Sequence, residues 1–305
     1  MLNFEKININ MKQMVDKYYF LYGEGSCQHS FAANYILSEK YDDYFCEHDN
    51  VLYVLRNGLS DATKRVYLFP MCDYKDTKLV KSAIENIIDD AHSMNKKVAF
   101  ESITENASTM LNGIFKDKFN IVDFRDLYEY IYKYDDFVYM KGHNYYKKRN
   151  EISAFVKKYE NRIIIKSITK DDIENIKKLS HIWLTSKIGW ELNEHLHFEN
   201  RALYKAFDNY DALCIKGVVI YIDSELAGFI IGTNSAINMF DAMIEKGNPK
   251  YNGIYKLLNR EFPKLCCKNF EDINFEEDLG VEGLRKMKTM YHPAYYIKKF
   301  IATEV

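Results

Sequence analysis

Glycine, proline and tryptophan are scarce in this chain of 305 residues, which has 13 Gly, 4 Pro and 2 Trp. This composition excludes collagen-like and low-complexity proteins, and 47% hydrophobic residues provide ample material for a core. No apolar run approaches the ~20 residues that a membrane-spanning helix requires, and the N-terminus lacks a signal-peptide profile. We therefore expect a soluble, cytoplasmic protein. At ~150 residues per domain, the length predicts two domains or one large one.

An excess of either charge is also absent, because 42 Lys and Arg residues balance 44 Asp and Glu residues. A protein that coats long nucleic acid usually carries a basic surplus, so any nucleic-acid partner must be bound locally. The six cysteines form no C-x-x-C pair and are too sparse for a disulfide scaffold. They indicate reduced thiols.

Motifs for several common cofactors are missing as well. The chain has no G-x-G-x-x-G and no G-x-x-x-x-G-K-[ST], so neither a dinucleotide site nor a P-loop is supported. His195 and His197 alternate, but no third ligand has suitable spacing nearby, and we predict no metal site. The chain is instead rich in aromatic residues, with 25 Tyr and 19 Phe. Tyrosine suits half-buried surfaces such as cleft walls.

Apolar periodicity predicts two successive α/β segments. In the first, we predict strands at 51–55, 65–69, 97–100, 120–124 and 137–139, and helices at 79–94 and 106–115. In the second, we predict strands at 163–165, 218–222, 226–231, 239–244, 273–275 and 295–301. Residues 169–172 form a capping box that predicts the start of a helix, and further helices are predicted at 199–207, 251–262 and 281–291. Between them, the basic stretch 141–150 leads into a helix with one apolar face. It suits either a solvated helix that bridges two domains or a cationic groove for a phosphate-bearing substrate.

The densest charge cluster lies in Asn274–Pro293. Acidic residues at 276–278 leave a strand just before a helix start, where the helix dipole favours negative charge. Spacing predicts that one face of this helix carries Arg285, Lys288 and His292. It predicts that the adjoining face buries Leu284, Met287 and Tyr291. Such a cluster suits a zwitterionic or phosphorylated substrate, and the structural alternative is helix-capping acids with a surface row of salt bridges.

A second candidate cleft lies at the end of the strand predicted at 239–244. Glu245 and Lys246 could line it, and Gly253 would allow close approach to a helix N-terminus with free backbone N–H groups. A single glycine is weak support for an anion site.

Several motifs together resemble bacterial proteins related to the phosphatidylglycerol lysyltransferase C-terminal domain. They are Glu245-Lys246, Gly253-Ile254-Tyr255, the block Asn274–Pro293, the basic run at 148–150, and Ser30-Phe31 with Asn34-Tyr35. The resemblance covers nearly the whole chain. It implies two tandem GNAT-like (acetyltransferase-type) α/β domains joined by a long helix. We accordingly predict an N-terminal domain at 1–138, a basic linking helix at 139–160, and a C-terminal domain at 161–305 that carries the active site.

The resemblance also implies transfer of an amino acid from the acceptor end of aminoacyl-tRNA to a lipid head group or small-molecule acceptor, with no cofactor. The sequence shows no membrane-spanning flippase part, so the lipid substrate does not carry over directly. We predict catalytic roles for Glu276, Asp278 and Arg285. We predict substrate contacts for Glu245, Lys246, Tyr255, Lys288, Tyr291 and His292. We predict contacts with tRNA phosphate for Lys147, Lys148 and Arg149.

Two other functions fit the same fold. One is an acyl-CoA-dependent N-acyltransferase, although Asn248–Gly253 matches the usual pyrophosphate loop, Q/R-x-x-G-x-G/A, poorly. The other is a non-catalytic GNAT scaffold that binds an amino acid or nucleotide without turnover.

Overall fold

The computed structural model describes residues 2–305 and contains two compact units. The first unit comprises Met1–Tyr130, Glu277–Lys288 and Tyr295–Val305, and the second comprises Ile131–Glu276 and Thr289–Ala294. These bounds differ from the predicted domains, because two segments near the C-terminus belong to the first unit. None of the helices within residues 2–305 is both long and apolar enough to cross a bilayer.

Strands and helices both occur along the whole length of the chain. The strands are β1 (Glu5–Lys6), β2 (Asp43–His48), β3 (Val51–Arg56), β4 (Lys64–Tyr67), β5 (Lys97–Thr104), β6 (Phe119–Asp123), β7 (Glu129–Lys133), β8 (Ile163–Ser167), β9 (Lys216–Ile222), β10 (Glu225–Ala236), β11 (Met239–Gly247), β12 (Asp272–Asn274), β13 (Tyr295–Ile297) and β14 (Lys299–Glu304). The helices are α1 (Lys12–Tyr22), α2 (Phe31–Ile36), α3 (Ser38–Tyr41), α4 (Thr77–Ser93), α5 (Glu105–Ile114), α6 (Tyr134–Tyr139), α7 (Tyr146–Lys158), α8 (Ile173–Thr185), α9 (Glu194–Asp208), α10 (Ile254–Cys266) and α11 (Glu282–Thr289).

The sheet of the first unit has the strand order β1-β2-β3-β4-β5-β14-β6. β4 and β5 are parallel, whereas β14 is antiparallel to both β5 and β6. Helix α4 begins at the N-cap Asp76, and its apolar stripe, which includes Ala83, Ile87 and Ala91, packs into the core of this unit as predicted. The predicted domain bounds place the final strand in the C-terminal domain. It lies instead in the first unit, because its backbone pairs with β5 and β6.

The sheet of the second unit runs β7-β12-β11-β10-β9-β8, with β11 and β12 parallel. The predicted hairpin is confirmed, since β9 and β10 are antiparallel and joined by Asp223 and Ser224, both with positive φ. Within this unit, α8 and α10 both contact β11. The capping box of Thr169 and Asp172 is present in the turn that precedes α8.

Two predictions for the middle of the chain need correction. The strand predicted at 137–139 is wrong, because these residues end helix α6, and Phe137 packs against the rings of Tyr132, Phe275 and Tyr291. The segment predicted as a long linking helix, 139–160, contains a short 3-10 turn followed by the 13-residue helix α7 within the second unit. A long helix between the units is therefore not confirmed.

Candidate active site

The second unit holds a lysine ammonium that is almost completely removed from water. Lys246 lies near the end of β11 with its side chain 1% exposed. Its Nζ donates to Oε1 of Glu199 on α9 at 2.6 Å. Burial lowers the pKa of Lys246, while the Glu199 carboxylate opposes that shift. A buried ammonium paired with one carboxylate forms a local dipole whose positive end lies at the ammonium.

An indole ring covers the same ammonium. Trp183 on α8 has its ring centroid 3.5 Å from Nζ of Lys246, and its Nε1 donates to the Tyr255 hydroxyl at 2.9 Å. Nζ of Lys187 lies 4.2 Å from the centroid of the same ring. We call Trp183, Glu199, Lys246 and Tyr255 the Lys246 cluster.

The Tyr255 hydroxyl keeps its own proton available for donation. The Trp183 indole N–H donates to its oxygen at 2.9 Å, so the hydroxyl proton can go to another acceptor. Burial raises the pKa of Tyr255, and the group therefore stays neutral at physiological pH. Tyr255 is still partly exposed, at 37%.

Gly247 is required for this arrangement, because an added Cβ would lie 2.5 Å from Cγ2 of Ile254 and 3.0 Å from the Tyr255 ring. We expect Gly247→Ala to lower the free energy of unfolding by about 1–3 kcal/mol and to displace Tyr255. Gly283→Ala is the matched control, since nothing beyond the local backbone of α11 lies within 4 Å of its Cβ position. Urea denaturation measures both. Equal stabilities for the two variants would contradict the steric argument.

Glu245 and Lys246 do not line one wall. Successive residues of a strand point to opposite faces. Lys246 contacts Trp183 and Glu199, whereas the Glu245 carboxylate helps to raise the pKa of both Tyr291 and Tyr255. Of the two residues, Lys246 has the direct contacts with Trp183 and Glu199.

A second polar group in this unit surrounds Tyr291, which is buried. The Tyr291 backbone carbonyl accepts from the Tyr145 hydroxyl at 2.9 Å, and Nζ of Lys148 lies 4.7 Å from the Tyr291 ring. Lys148 also donates to the carbonyl of Met290. This packing makes Tyr291 a structural contact of α7.

Two of the residues expected to contact tRNA are engaged within the second unit. Lys148 is buried, and Arg149 donates to the backbone carbonyls of Met140 and Gly142. Lys147 is exposed on the first turn of α7. Among Lys147, Lys148 and Arg149, Lys147 thus has the most accessible charged group.

The helix predicted at 281–291 is shorter than expected. α11 ends at Thr289, and His292 follows it with φ 55°, so His292 does not extend the face of Arg285 and Lys288. Leu284 is 40% exposed, and the prediction of its burial is wrong. The unit boundary also divides this motif, since Glu276 belongs to the second unit and Glu277 to the first.

In the first unit, Asp278 is fully buried and receives several hydrogen bonds. Donors are the Tyr130 hydroxyl at 2.6 Å, Nε and Nη2 of Arg285 at 2.9 and 2.8 Å, the Gly280 N–H at 2.9 Å, and Nη1 of Arg125 at 3.3 Å. Burial alone would raise the pKa of Asp278, but the bonds from Arg285, Tyr130 and Gly280 outweigh it and lower the pKa to about 2. Such a carboxylate is a poor base.

The conformation of the turn after Asp278 explains why glycine follows at position 280 in the block Asn274–Pro293. Leu279 and Gly280 both have positive φ, and a Cβ on Gly280 would lie 2.8 Å from Oδ2 of Asp126. Asp126 in turn accepts from Arg285 at 2.6 Å. We call Arg125, Asp126, Tyr130, Asp278 and Arg285 the Asp278 network.

Glu276 and Lys288, two further predicted site residues, each donate a hydrogen bond to a nearby residue. The Glu276 backbone N–H donates to Asn274 Oδ1 at 2.7 Å, and Glu276 has φ 55° in the second unit. Lys288 is buried in the first unit and donates to the carbonyl of Glu277.

Several backbone N–H groups of the loop before α10 are already hydrogen-bonded. The N–H groups of Lys250, Tyr251, Ile254 and Lys256 already donate to acceptors within the loop or the first helical turn. Gly253 has φ 99°, and a Cβ there would lie 3.3 Å from the Phe155 ring, so its role is to start the helix close to α7. The loop therefore offers an anion fewer backbone donors than an open glycine-rich loop would.

His195 and His197 both lie on α9, so the alternating strand geometry that would bring them to one face does not occur. Within residues 2–305, no group of three or more His, Cys, Asp or Glu side chains is arranged to hold a metal ion.

Comparison with known proteins identifies the family. Residues 19–303 match the family model described as "Phosphatidylglycerol lysyltransferase, C-terminal", and the chain belongs to this family. Its fold is mixed α/β, with two mixed sheets. The chain is similar to a conserved protein of unknown function from Bacteroides thetaiotaomicron, with TM-score 0.93, 25% identity and 100% of each chain covered. It shares its fold with L-PGS from Bacillus licheniformis, with TM-score 0.67, 14% identity, and 98% and 93% of the two chains covered.

A curated relative gives a weaker sequence match. An uncharacterised protein of Mycoplasmoides gallisepticum is 22% identical over 174 residues, which are 56% of this chain and 54% of that protein. The match thus spans about half the length of this relative.

Sequence reasoning misses Trp183 and Glu199 as site residues. Apolar periodicity places Trp183 on the buried face of its helix, and Glu199 only marks the start of the next predicted helix. The available signal is composition, since Trp183 is one of only two tryptophans.

Proposed function

We propose that this protein is an aminoacyltransferase that moves an amino acid from aminoacyl-tRNA, in the cytoplasm, to a lipid head group or small-molecule acceptor. The observation that carries the proposal is the buried Lys246 ammonium, held between the Glu199 carboxylate and the Trp183 ring. Family membership supports the same reaction class.

The chemistry of aminoacyl transfer matches these groups. An acceptor hydroxyl or amine attacks the aminoacyl ester, and negative charge develops on the carbonyl oxygen of the tetrahedral intermediate. Lys246 would stabilise that oxyanion in a site of low dielectric. Glu199, whose side chain is 39% exposed, would bind the amine of the amino acid. As the acceptor forms its bond to the carbonyl carbon and the bond to the ribose oxygen breaks, Tyr255 would give its proton to the leaving ribose oxygen and take one from the attacking hydroxyl or amine.

Residues from the 276–288 motif have separate roles in the proposal. Glu276 would be a second carboxylate for the substrate amine. Asp278 would be a positioning residue, since its carboxylate oxygens accept hydrogen bonds from Arg285 and Tyr130. Arg285 would contact phosphate, and Lys147 on α7 would contact the tRNA backbone.

The test is incubation of the protein with tRNA charged with a pool of radiolabelled amino acids, in the presence of cell extract. We expect one amino acid to leave tRNA faster than in buffer and its label to appear in a new product. No discharge above the buffer rate would contradict the proposal. Strong thermal stabilisation by acetyl-CoA would also contradict it, by indicating an acyl-CoA-dependent enzyme.

A further inference from the structure

Strand β6 forms a free edge of the first sheet, because the strand order ends there. The N–H of Phe124 donates to the carbonyl of Lys299, and the N–H of Val305 donates to the carbonyl of Lys118, so the ladder with β14 continues on both flanks of β6. Residues whose backbone groups face the neighbouring strand alternate with residues whose groups face away. The backbone groups of even-numbered residues in β6 therefore face β14, and those of odd-numbered residues face the open edge.

The solvent-facing side of β6 is apolar. Val122 is 50% exposed, and Phe124, directly after the strand, is 39% exposed. Val122 lies opposite Ile301 of β14, so these two side chains share one face of the sheet. Phe119 and Ile121 point to the other face and pack on the core of this unit. An open strand edge with an exposed apolar side is a template for pairing with a further strand.

The charges around β6 complement those of a second copy of the same segment. When residues 116–126 are placed antiparallel to a copy of themselves about Ile121, Lys116 falls opposite Asp126, and Asp117 falls opposite Arg125. No pair of positions in this register joins two like charges. Opposite charges across a strand pair are stabilising, whereas like charges are destabilising.

The same register also suits the backbone. Odd-numbered positions fall opposite odd-numbered positions, since 119 meets 123 and 121 meets itself, so the outward-facing N–H and C=O groups of both copies can bond to one another. A shift by one residue would place them opposite groups that already face β14. Lys118 falls opposite Phe124 in this register, where an ammonium can lie over the ring.

The free edge of the second sheet lacks this charge complementarity. β8 ends that sheet, and its Ile164 is 55% exposed, much as Val122 is on β6. The charged residues of this edge, Arg162 and Lys166, are both cations, so a second β8 would offer them no acidic partner. β1, at the other end of the first sheet, has only two residues. Charge and length therefore favour self-association at β6.

We propose that β6 is a dimerisation edge, at which two copies of this chain pair antiparallel about Ile121. Val122 lies diagonally across from the partner's Val122, and Lys116 lies beside the partner's Asp126. A second copy fits better than an unrelated peptide, because one segment supplies both halves of the charge complementarity. The pairing is two-fold and uses the free edge of both copies, so it stops at a dimer.

The dimer should be weak and concentration-dependent. A single strand edge provides fewer residues than the roughly 20–30 per side of a standard interface, so we expect a dissociation constant of about 10–100 μM. Sedimentation velocity of the full chain across this range should show a shift from monomer to dimer. Added salt should weaken the dimer, because exposed charges hold the ends of the paired strands.

Val122→Lys should raise the dissociation constant by about tenfold or more, because it brings two like charges together across the two-fold axis. The matched control is Ile164→Lys, which changes an exposed aliphatic residue on the other edge strand and should dimerise as wild type. Ile121→Pro removes the central outward-facing N–H, which an edge strand can lose, and should also prevent dimerisation. Far-UV circular dichroism checks that the variants are folded.

Hydrogen exchange tests the location of the contact. The Ile121 amide should exchange more slowly at high protein concentration, whereas the Val122 amide, which faces β14, should show no added protection. Three results would overturn the proposal. They are a monomer throughout the concentration range, equal dissociation constants for Val122→Lys and Ile164→Lys, and a dimer without added protection at Ile121. The first result would leave this edge to a separate extended peptide.

Discussion

Lys246→Met is expected to reduce the rate of amino-acid transfer by about 10²–10³-fold, the loss typical for removal of one oxyanion donor. Methionine has a similar length and no charge, so it retains the packing of the stem against Trp183. The fold should persist, because Glu199 is 39% exposed and its carboxylate can be hydrated once its partner is gone. Single-turnover discharge of charged tRNA measures the rate.

The control for this variant is Lys216→Met, which removes an exposed lysine from β9 of the same unit. It should transfer at the wild-type rate. Lys246→Arg tests geometry, because it keeps the charge but enlarges the head group, and it should recover only part of the activity. Wild-type transfer by Lys246→Met would remove Lys246 from the reaction.

Asp278→Ala is expected to lower the free energy of unfolding by about 3 kcal/mol. The buried Tyr130 hydroxyl and the Gly280 N–H lose their acceptor, and Arg285 and Arg125 lose an ion-pair partner. The loss falls at the low end for a buried ion pair because these arginine side chains, 37% and 39% exposed, can turn to water. Urea denaturation followed by far-UV circular dichroism provides the measurement.

Asp126→Asn is the matched control in the same network. The Asp126 side chain is 48% exposed, and within the Asp278 network its ion-pair partner is Arg285. The free energy of unfolding of this variant should therefore fall by less than about 1 kcal/mol. If Asp278→Ala lowered the free energy of unfolding no more than Asp126→Asn does, Asp278 would not be a positioning residue.

Much of the secondary structure follows from local patterns in the sequence. The apolar stripe of α4, the capping box before α8 and the hairpin of β9 and β10 all depend on residues close together in the chain, so periodicity and turn chemistry predict them. The error at 137–139 has the same origin, because three consecutive apolar residues do not distinguish a strand from the end of a short helix.

The sequence by itself determined the family, through the motifs at 245–255 and 274–293, and the presence of two α/β segments. Only the tertiary structure decided that β14 completes the first sheet, because strand pairing depends on partners about 200 residues distant. It also separated Glu245 from Lys246 across the faces of β11 and joined Lys246 to Trp183 and Glu199 from two helices. Those contacts are invisible in the sequence because they depend on how α8 and α9 pack beside the strand.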